Sequence, residues 1–534
     1  MSENTPDETT NGDTAVPRRL FCLTAVLGIL TISAQAEDLP PPPQTAGIAI
    51  PDGQIERAVG EVDAIVAGIM ERTGIPGLAV AVVSKDKVLF LKGYGVRKAG
   101  APEKVDADTV FQLASLSKSI GATVVAHEVG EGVVHWDTPM TELLPWFKLA
   151  SPQVTALLTV GDLYAHRSGL PDHAGDDLED LGFSRQQILE RLSQEPLSAF
   201  RTHYAYTNFG LTAAAQAVAE AAGTDWDSLS AEVLYKPLGM ESTSSRFSDF
   251  MARENRAYPH VRIGDAWDSV FQRKPDAQTP AGGVSSSAAD MARWMQMVLG
   301  MGEYEGKRIV AAEALLPALS PQAVSSRPYA PDARAGFYGY GFGVGVSPAG
   351  RVMISHSGGF LLGAGTNYVL LPSADIGIAV LTNAQPIGAA EAVGMSFMDM
   401  VQYGKIRRDW LPMYGELMKP AFQPVGKHAG EEAPDATTPP RPLADYSGTY
   451  ANAYFGDLTV KPSGESLVMQ LKDSGASFSL EHWTGDEFVF RPQNENAPEG
   501  SISSVFFQIG EGGKPERVSV EYFNESGNGD FTRR

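Results

Sequence analysis

Two apolar strand pairs lie far apart in this chain, and any fold it adopts has to bring them together. Residues 78–83 and 88–91 flank the polar turn Ser84-Lys85-Asp86-Lys87, and much later residues 366–371 and 376–382 flank Pro372-Ser373-Ala374-Asp375. Short apolar runs bounded by turn residues read as buried strands. The chain before the first pair and between the two is helical in pattern. Residues 55–73 repeat Val59, Val62, Ile65, Val66, Ile69 and Met70 on one face, and residues 211–222 and 288–299 are further helices. The Ser285-Ser286-Ser287 run before the last of these offers an N-cap, with Ser287 the best placed. Strands at both ends and helices between predict an α+β fold, its first and last strands sharing one antiparallel sheet.

At 534 residues the chain is too long for one ordinary core. Its pattern changes after residues 419–442, a linker dense in Pro, Glu, Asp and Thr. Beyond it Leu458/Val460, Leu467/Met469/Leu471, Phe478/Leu480, Phe488/Phe490, Val505/Phe507/Ile509 and Val518/Val520/Tyr522 alternate between glycine-marked turns. Short alternating strands predict a small all-β domain, barrel or sandwich, over residues 443–534. The preceding body spans residues 55–418.

The formal net charge of −22 repels phosphate backbones and anionic lipid surfaces, so nucleic acid is not an expected partner. Arg18-Arg19 precede an apolar run to about Ser33 and then Ala34-Gln35-Ala36, which reads as an export signal over residues 1–36. The paired arginines fit the twin-arginine route. The chain's one cysteine, Cys22, falls inside that signal, so no disulfide is expected in the mature protein. A Pro-rich tether follows over residues 37–54. No later run is long enough to cross a bilayer, so the expected location is periplasmic or secreted, without stable membrane insertion.

The chemistry concentrates in Phe111-Gln-Leu-Ala-Ser-Leu-Ser-Lys118, which runs into a buried helix. Ser115 sits at the first turn, beside free N–H groups, and Lys118 lies over the same helix face one turn on. A lysine on an apolar wall is desolvated toward its neutral form, and hydroxyl plus base is the minimum for a covalent nucleophile. Acyl transfer also needs a second proton-transfer group, an amide for the substrate and a backbone donor for the oxyanion. Tyr206 and Asn208 can supply the first two, and His356-Ser-Gly358-Gly359 the third. Decoys exist for each pattern: Ser84/Lys87, Tyr450/Asn452, Tyr522/Asn524, His173/Gly175 and His428/Gly430. Only Ser115/Lys118, Tyr206/Asn208 and His356/Gly358 fall in the needed order and local setting.

With Phe111–Lys118, His166-Arg-Ser-Gly-Leu-Pro, Tyr206-Thr-Asn-Phe-Gly, Pro237-Leu-Gly-Met, Ala281-Gly-Gly-Val and His356-Ser-Gly-Gly in this order, the sequence resembles the class C β-lactamase and penicillin-binding-protein-like serine hydrolases. It resembles in particular the branch with His-x-Gly in place of Lys-Thr-Gly. The resemblance covers about residues 75–383. It implies a β-lactamase/transpeptidase-like catalytic domain with an antiparallel sheet, flanking helices and a helical subdomain. It also implies Ser115 as nucleophile, Lys118 and Tyr206 in proton transfer, and Asn208, His356, Gly358 and Gly359 as substrate-binding residues. The N–H groups of Ser115 and Gly359 would form the oxyanion hole, and no cofactor or metal is implied. His356 stands where true β-lactamases have a lysine, which points to the family's peptidases and esterases. His166 reads as a structural turn residue. No Gly-x-Ser-x-Gly or His-Glu-x-x-His string offers another hydrolase class.

The expected function is an exported serine hydrolase acting on amide bonds of short or D-residue-containing peptides. An esterase, or a penicillin- or cell-wall-binding protein without turnover, is the competing expectation. The partners expected are small-molecule or short-peptide substrates, with homo-oligomerisation through the C-terminal β domain left open.

Overall fold

The computed structural model describes residues 47–434 and 437–534. The expected export signal with Cys22, and the tether before residue 47, lie outside the described residues.

Eight strands make one antiparallel sheet: β1 (Gly77–Val83), β2 (Val88–Gly95), β3 (Ala323–Ser326), β4 (Gly336–Tyr338), β5 (Gly343–Val346), β6 (Val352–Phe360), β7 (Ala364–Leu371) and β8 (Ile376–Thr382). Their spatial order is β2-β1-β8-β7-β6-β5-β4-β3. The two apolar hairpins therefore meet in the middle, with β1 on β8 in the register Val80↔Val380. The reason is burial on both faces. Leu78, Val80 and Val82 pack in one core with Ile376, Ile378 and Val380. Ala79, Ala81 and Val83 pack in the other with Ala379 and Leu381. A strand with helices on either side has no polar face, hence the unbroken apolar run.

The first core is closed by helices α1 (Val62–Thr73) and α5 (Ala389–Tyr403). The second is closed by α2 (Leu116–Gly130), α3 (Asn208–Ala221) and α4 (Ala288–Leu299). Ser287 caps α4, its hydroxyl accepting the Asp290 N–H at 3.2 Å. The pattern over residues 55–73 is two helices rather than one, Gln54–Gly60 and then α1, with a break at Glu61 directly after Gly60.

The C-terminal strands form a closed eight-stranded barrel. Six of its strands follow the sequence alternation. The other two, Gly448–Asn452 and Asp530–Arg533, close it by pairing Tyr450 with Arg533 and Ala451 with Thr532. They bury little apart from Tyr450 and Phe531 and so carry no alternating signal. Tyr522, expected on the strand with Val518 and Val520, lies instead in the turn Glu521–Phe523 that follows it.

Trp294 of α4 joins the layers. It is fully buried, meets Tyr368 edge-on at 5.0 Å and reaches the Thr123 hydroxyl of α2 with its Nε1 at 3.3 Å. Trp294→Ala is expected to destabilise the catalytic domain by about 3–5 kcal/mol, read as a lower urea midpoint.

Candidate active site

The chain enters α2 through a strained residue. Ala114 has φ +47°, a left-handed conformation that an alanine adopts at a cost, and it delivers Ser115 to the helix N-cap. Two hydroxyls lock the turn. Ser117 donates to the Ala114 carbonyl at 2.6 Å and accepts the Val284 N–H at 3.0 Å. Thr366 of β7 donates to the Leu113 carbonyl at 2.7 Å. Next to Thr366, Gly358 of β6 lies so close that a Cβ there would stand 2.3 Å from the Leu113 carbonyl and 3.0 Å from Ser115 N. Only glycine permits this approach. Gly359, one residue on, is exposed at the site.

Lys118 is fully buried. Its Nζ has three neighbours: Ser115 Oγ at 3.1 Å, Asn208 Oδ1 at 2.7 Å and the Ala281 carbonyl at 2.9 Å. Burial pulls its pKa down to about 7, an effect opposed by the charge of Asp176. A neutral amine has two protons and a lone pair. Asn208 and Ala281 can only accept, so the lone pair faces Ser115, whose hydroxyl can donate into it. Tyr206 completes the cluster: its ring centroid is 4.5 Å from Lys118 Nζ, and Ser115 is close enough to oppose the burial that raises the phenol's pKa. Burial drives the phenol's pKa well up, so it stays protonated beside the amine. Lys118 is thus the group poised as base, and Tyr206 the group that can hand a proton on.

His356 also lies beside this cluster, its ring 6.4 Å from that of Tyr206. Its Nδ1 meets the Ser357 carbonyl at 2.7 Å, so that nitrogen carries the proton, and Nε2 accepts from the Tyr338 hydroxyl at 2.8 Å. Burial, with Lys118 nearby, holds its pKa down to about 3, so the imidazole is neutral. All the expected site residues lie together at the junction of β6 with α2 and α3.

One differs in what it touches. Asn208, expected to hold substrate, is engaged at both ends of its amide: Oδ1 by Lys118 and Nδ2 by Asp176, whose Oδ2 accepts at 2.8 Å. It bridges the base to a carboxylate.

The sequence reading missed Asp176 and set His173 aside as a decoy. Asp176 is buried and also accepts from His173 Nδ1 at 2.9 Å, which raises the His173 pKa to about 9. The His173 N–H donates to the Tyr206 carbonyl at 2.8 Å, while Asp172 accepts the Tyr206 N–H at 2.6 Å. The Asp172, His173 and Asp176 spacing was the available signal. Their neighbour across the fold could not be read from it. His166 is structural as expected, but within the site. It is buried at φ +54°, accepts the Thr207 N–H on Nδ1 at 3.1 Å and packs its ring 4.5 Å from Tyr206.

The barrel closes one side of the site. A cleft of about 620 Å³ runs from His173, Asp176 and Gly359 to Glu495 and Tyr522. Glu495 accepts the Leu361 N–H at 2.7 Å, two residues beyond the glycine pair, and Tyr454 donates its hydroxyl to Asp177 at 2.9 Å. Among the described residues, no three His, Cys, Asp or Glu side chains converge as a metal site.

A serine beside a buried lysine and a tyrosine, facing the glycines of a strand in a helix-flanked antiparallel sheet, belongs to the β-lactamase/transpeptidase-like fold. The chain belongs to the beta-lactamase family, which matches residues 62–394. A domain family of unknown function, DUF3471, matches residues 432–531. The unguisins hydrolase ungD of Aspergillus violaceofuscus is 25% identical over 82% of this chain and 82% of its own length. The D-alanyl-D-alanine-carboxypeptidase/endopeptidase AmpH of Escherichia coli K12 is 25% identical over 66% of this chain and 91% of its own. An octameric penicillin-binding protein homologue from Pyrococcus abyssi shares the fold, with TM-score 0.58 at 19% identity over 87% of this chain and 98% of that one.

Two outcomes follow from the geometry. Gly358→Ala is expected to push β6 away from the nucleophile turn and lower the rate of Ser115 labelling by a fluorophosphonate by on the order of 10²-fold, as loss of a well-placed donor does. In the wild type that rate is expected to rise with pH through about 7 and level off once Lys118 is neutral. Asp176 raises the lysine's pKa, so Asp176→Asn is expected to move the midpoint to lower pH.

Proposed function

We propose that this chain is an exported serine hydrolase that cleaves amide bonds of short peptides, D-residue-containing ones included, through an acyl-enzyme on Ser115. The observation that carries the reading is the buried amine of Lys118, 3.1 Å from Ser115 Oγ and titrating at about 7. Its lone pair takes the Ser115 proton as the oxygen attacks the substrate carbonyl. The N–H groups of Ser115 and Gly359 receive the developing oxyanion. The proton passes through the Tyr206 hydroxyl to the leaving amine, the C–N bond breaks and an ester on Ser115 remains. Water then attacks that ester, its proton returning through the same pair, and the acid leaves.

Three features favour peptides over β-lactams and simple esters. His356 is neutral and offers no charge where the lysine of β-lactamases would stand. The barrel supplies one wall of a cleft of about 620 Å³ beside the nucleophile, room for a chain of several residues. The chain's relatives include a hydrolase of unguisins and a D-alanyl-D-alanine peptidase by name. Export rests on the arginine-led apolar run of residues 1–36.

A panel of short L- and D-peptides beside p-nitrophenyl esters tests the reading. Sustained peptide turnover that disappears in Ser115→Ala supports it. A peptide rate equal to that of Ser115→Ala, with ester turnover intact, makes the protein an esterase. One burst per enzyme makes it a binding protein. Tyr206→Phe is expected to lower kcat by on the order of 10²–10⁴ on peptides, since an amine leaving group needs the relayed proton.

A further inference from the structure

A groove of about 740 Å³ lies between residues 201–204 and the outer edge of the sheet, on the His356 side of the nucleophile. Its charge runs against that of the whole chain. Arg167 and Arg201 both point at Asp162, which is fully buried: Arg167 Nε reaches Oδ1 at 2.8 Å and Arg201 Nη2 reaches Oδ2 at 2.8 Å. One carboxylate thus serves two guanidinium groups; with Arg201 Nε also on Asp162, its Nη2 also on the Leu157 carbonyl and Arg167 Nη1 on the Gln322 carbonyl, Arg201 Nη1 and Arg167 Nη2 are the donors left for a ligand. The exposed Arg327 adds a third guanidinium at the rim. In a chain of net charge −22 this is a local inversion. Arg201 is also held at φ +63°, a left-handed conformation disfavoured for a residue with a side chain.

The backbone of the groove suits an extended ligand. β3 is the last strand of the sheet, so its outer edge has no strand beside it, and Val324 on it is half-exposed. Arg167 Nη1 pins the adjoining Gln322 carbonyl at 2.7 Å. A peptide in extended form can lie along such an edge. The groove joins the catalytic cluster through one side chain. Tyr204 lines it, and its ring packs 5.8 Å from His166 and 5.6 Å from Tyr338, whose hydroxyl meets His356. Asp172, whose charge reaches Tyr204, accepts the Tyr206 N–H.

We propose that this groove is a substrate subsite that takes a carboxylate of an extended peptide on the guanidinium groups of Arg327, Arg201 and Arg167. Guanidinium pairs a carboxylate with two parallel donors, which fixes orientation as well as charge. The role as a substrate subsite rests on the hydrolase reading. The site itself does not, and the test separates the two.

The full chain carrying Ser115→Ala is titrated with two alanine hexapeptides, each bearing a neutral fluorophore, one ending in a free carboxylate and the other in a carboxamide. The carboxylate peptide is expected to bind about fivefold more tightly, the scale of one exposed charge pair. The preference is expected to shrink as salt is raised. Arg327→Gln should reduce it and Arg327→Glu abolish or reverse it. Equal affinities, no measurable binding of either peptide, or a preference that Arg327→Glu leaves intact, overturn the subsite. If the preference holds but no Ser115-dependent turnover of peptide is found, the hydrolase reading falls and the groove remains an anion site. If both peptides are turned over and bind alike, the groove falls alone.

Discussion

Everything at this site turns on an amine taken out of water. Burying an ammonium ion is costly unless it is paired, and the molecule reduces that cost by letting Lys118 titrate near neutrality. Its acceptors come from distant stretches: Asn208 from the first turn of α3, and Ala281 from the short helix Thr279–Gly282 ahead of α4. The oxygen it serves sits one turn away on its own helix. Displacing any of these segments would leave the amine without a partner or the serine without a base. The buried lysine therefore acts as a check that the helical layer and the sheet have met in one arrangement. Asp176 adjusts the result from behind, through an amide whose orientation it helps to set.

How much of this was readable in the sequence depends on how local its cause is. The two hairpins were, because burial on both faces writes an unbroken apolar run. The meeting of Ser115, Lys118, Tyr206, Asn208 and His356 was, because each belongs to a short string in a fixed order; the roles given to them belong to the proposed function. The strands at residues 323–346 were not. Gly336, Gly343 and Gly345 dilute any apolar period, and β3 is partly exposed at the sheet edge. The two closing strands of the barrel were invisible for a related reason, since pairing and not side-chain alternation makes them strands. His173 and Asp176 lie just beyond a proline in a polar loop. Nothing within that loop announces that its backbone pairs with Tyr206.

The barrel is tied into the catalytic machinery. Glu495 holds the N–H of Leu361, two residues beyond the exposed Gly359, and Arg273 reaches both Glu495 and Glu179. The segment read as a linker is itself pinned: the Ile502 N–H donates to Val425 and the Lys427 N–H to Glu521. Glu495 is buried, and burial raises its pKa to about 8. Its two oxygens meet backbone donors and a guanidinium, so the strand that carries the glycine pair is held from the barrel as well as from its own sheet.

The electrostatics of the two flanks then differ in kind. Toward the barrel the cleft is lined by Asp177, Glu495 and Glu521, and burial raises the pKa of Asp177 to about 7 and that of Glu495 to about 8, so this flank carries little fixed charge. Toward the sheet edge the groove is walled by arginines. Between them the catalytic cluster is held close to neutral: a lysine near its titration point, a protonated phenol, an uncharged imidazole, and one carboxylate matched by His173. An uncharged centre does not compete with its flanks for a substrate's charged ends. With the arginine groove as the proposed subsite, the carboxylate end of a peptide is directed to the sheet edge and away from the reacting centre. In that reading, replacing lysine by His356 relocates anion recognition from the reacting centre to its edge, and leaves the centre free to act on the uncharged bond between.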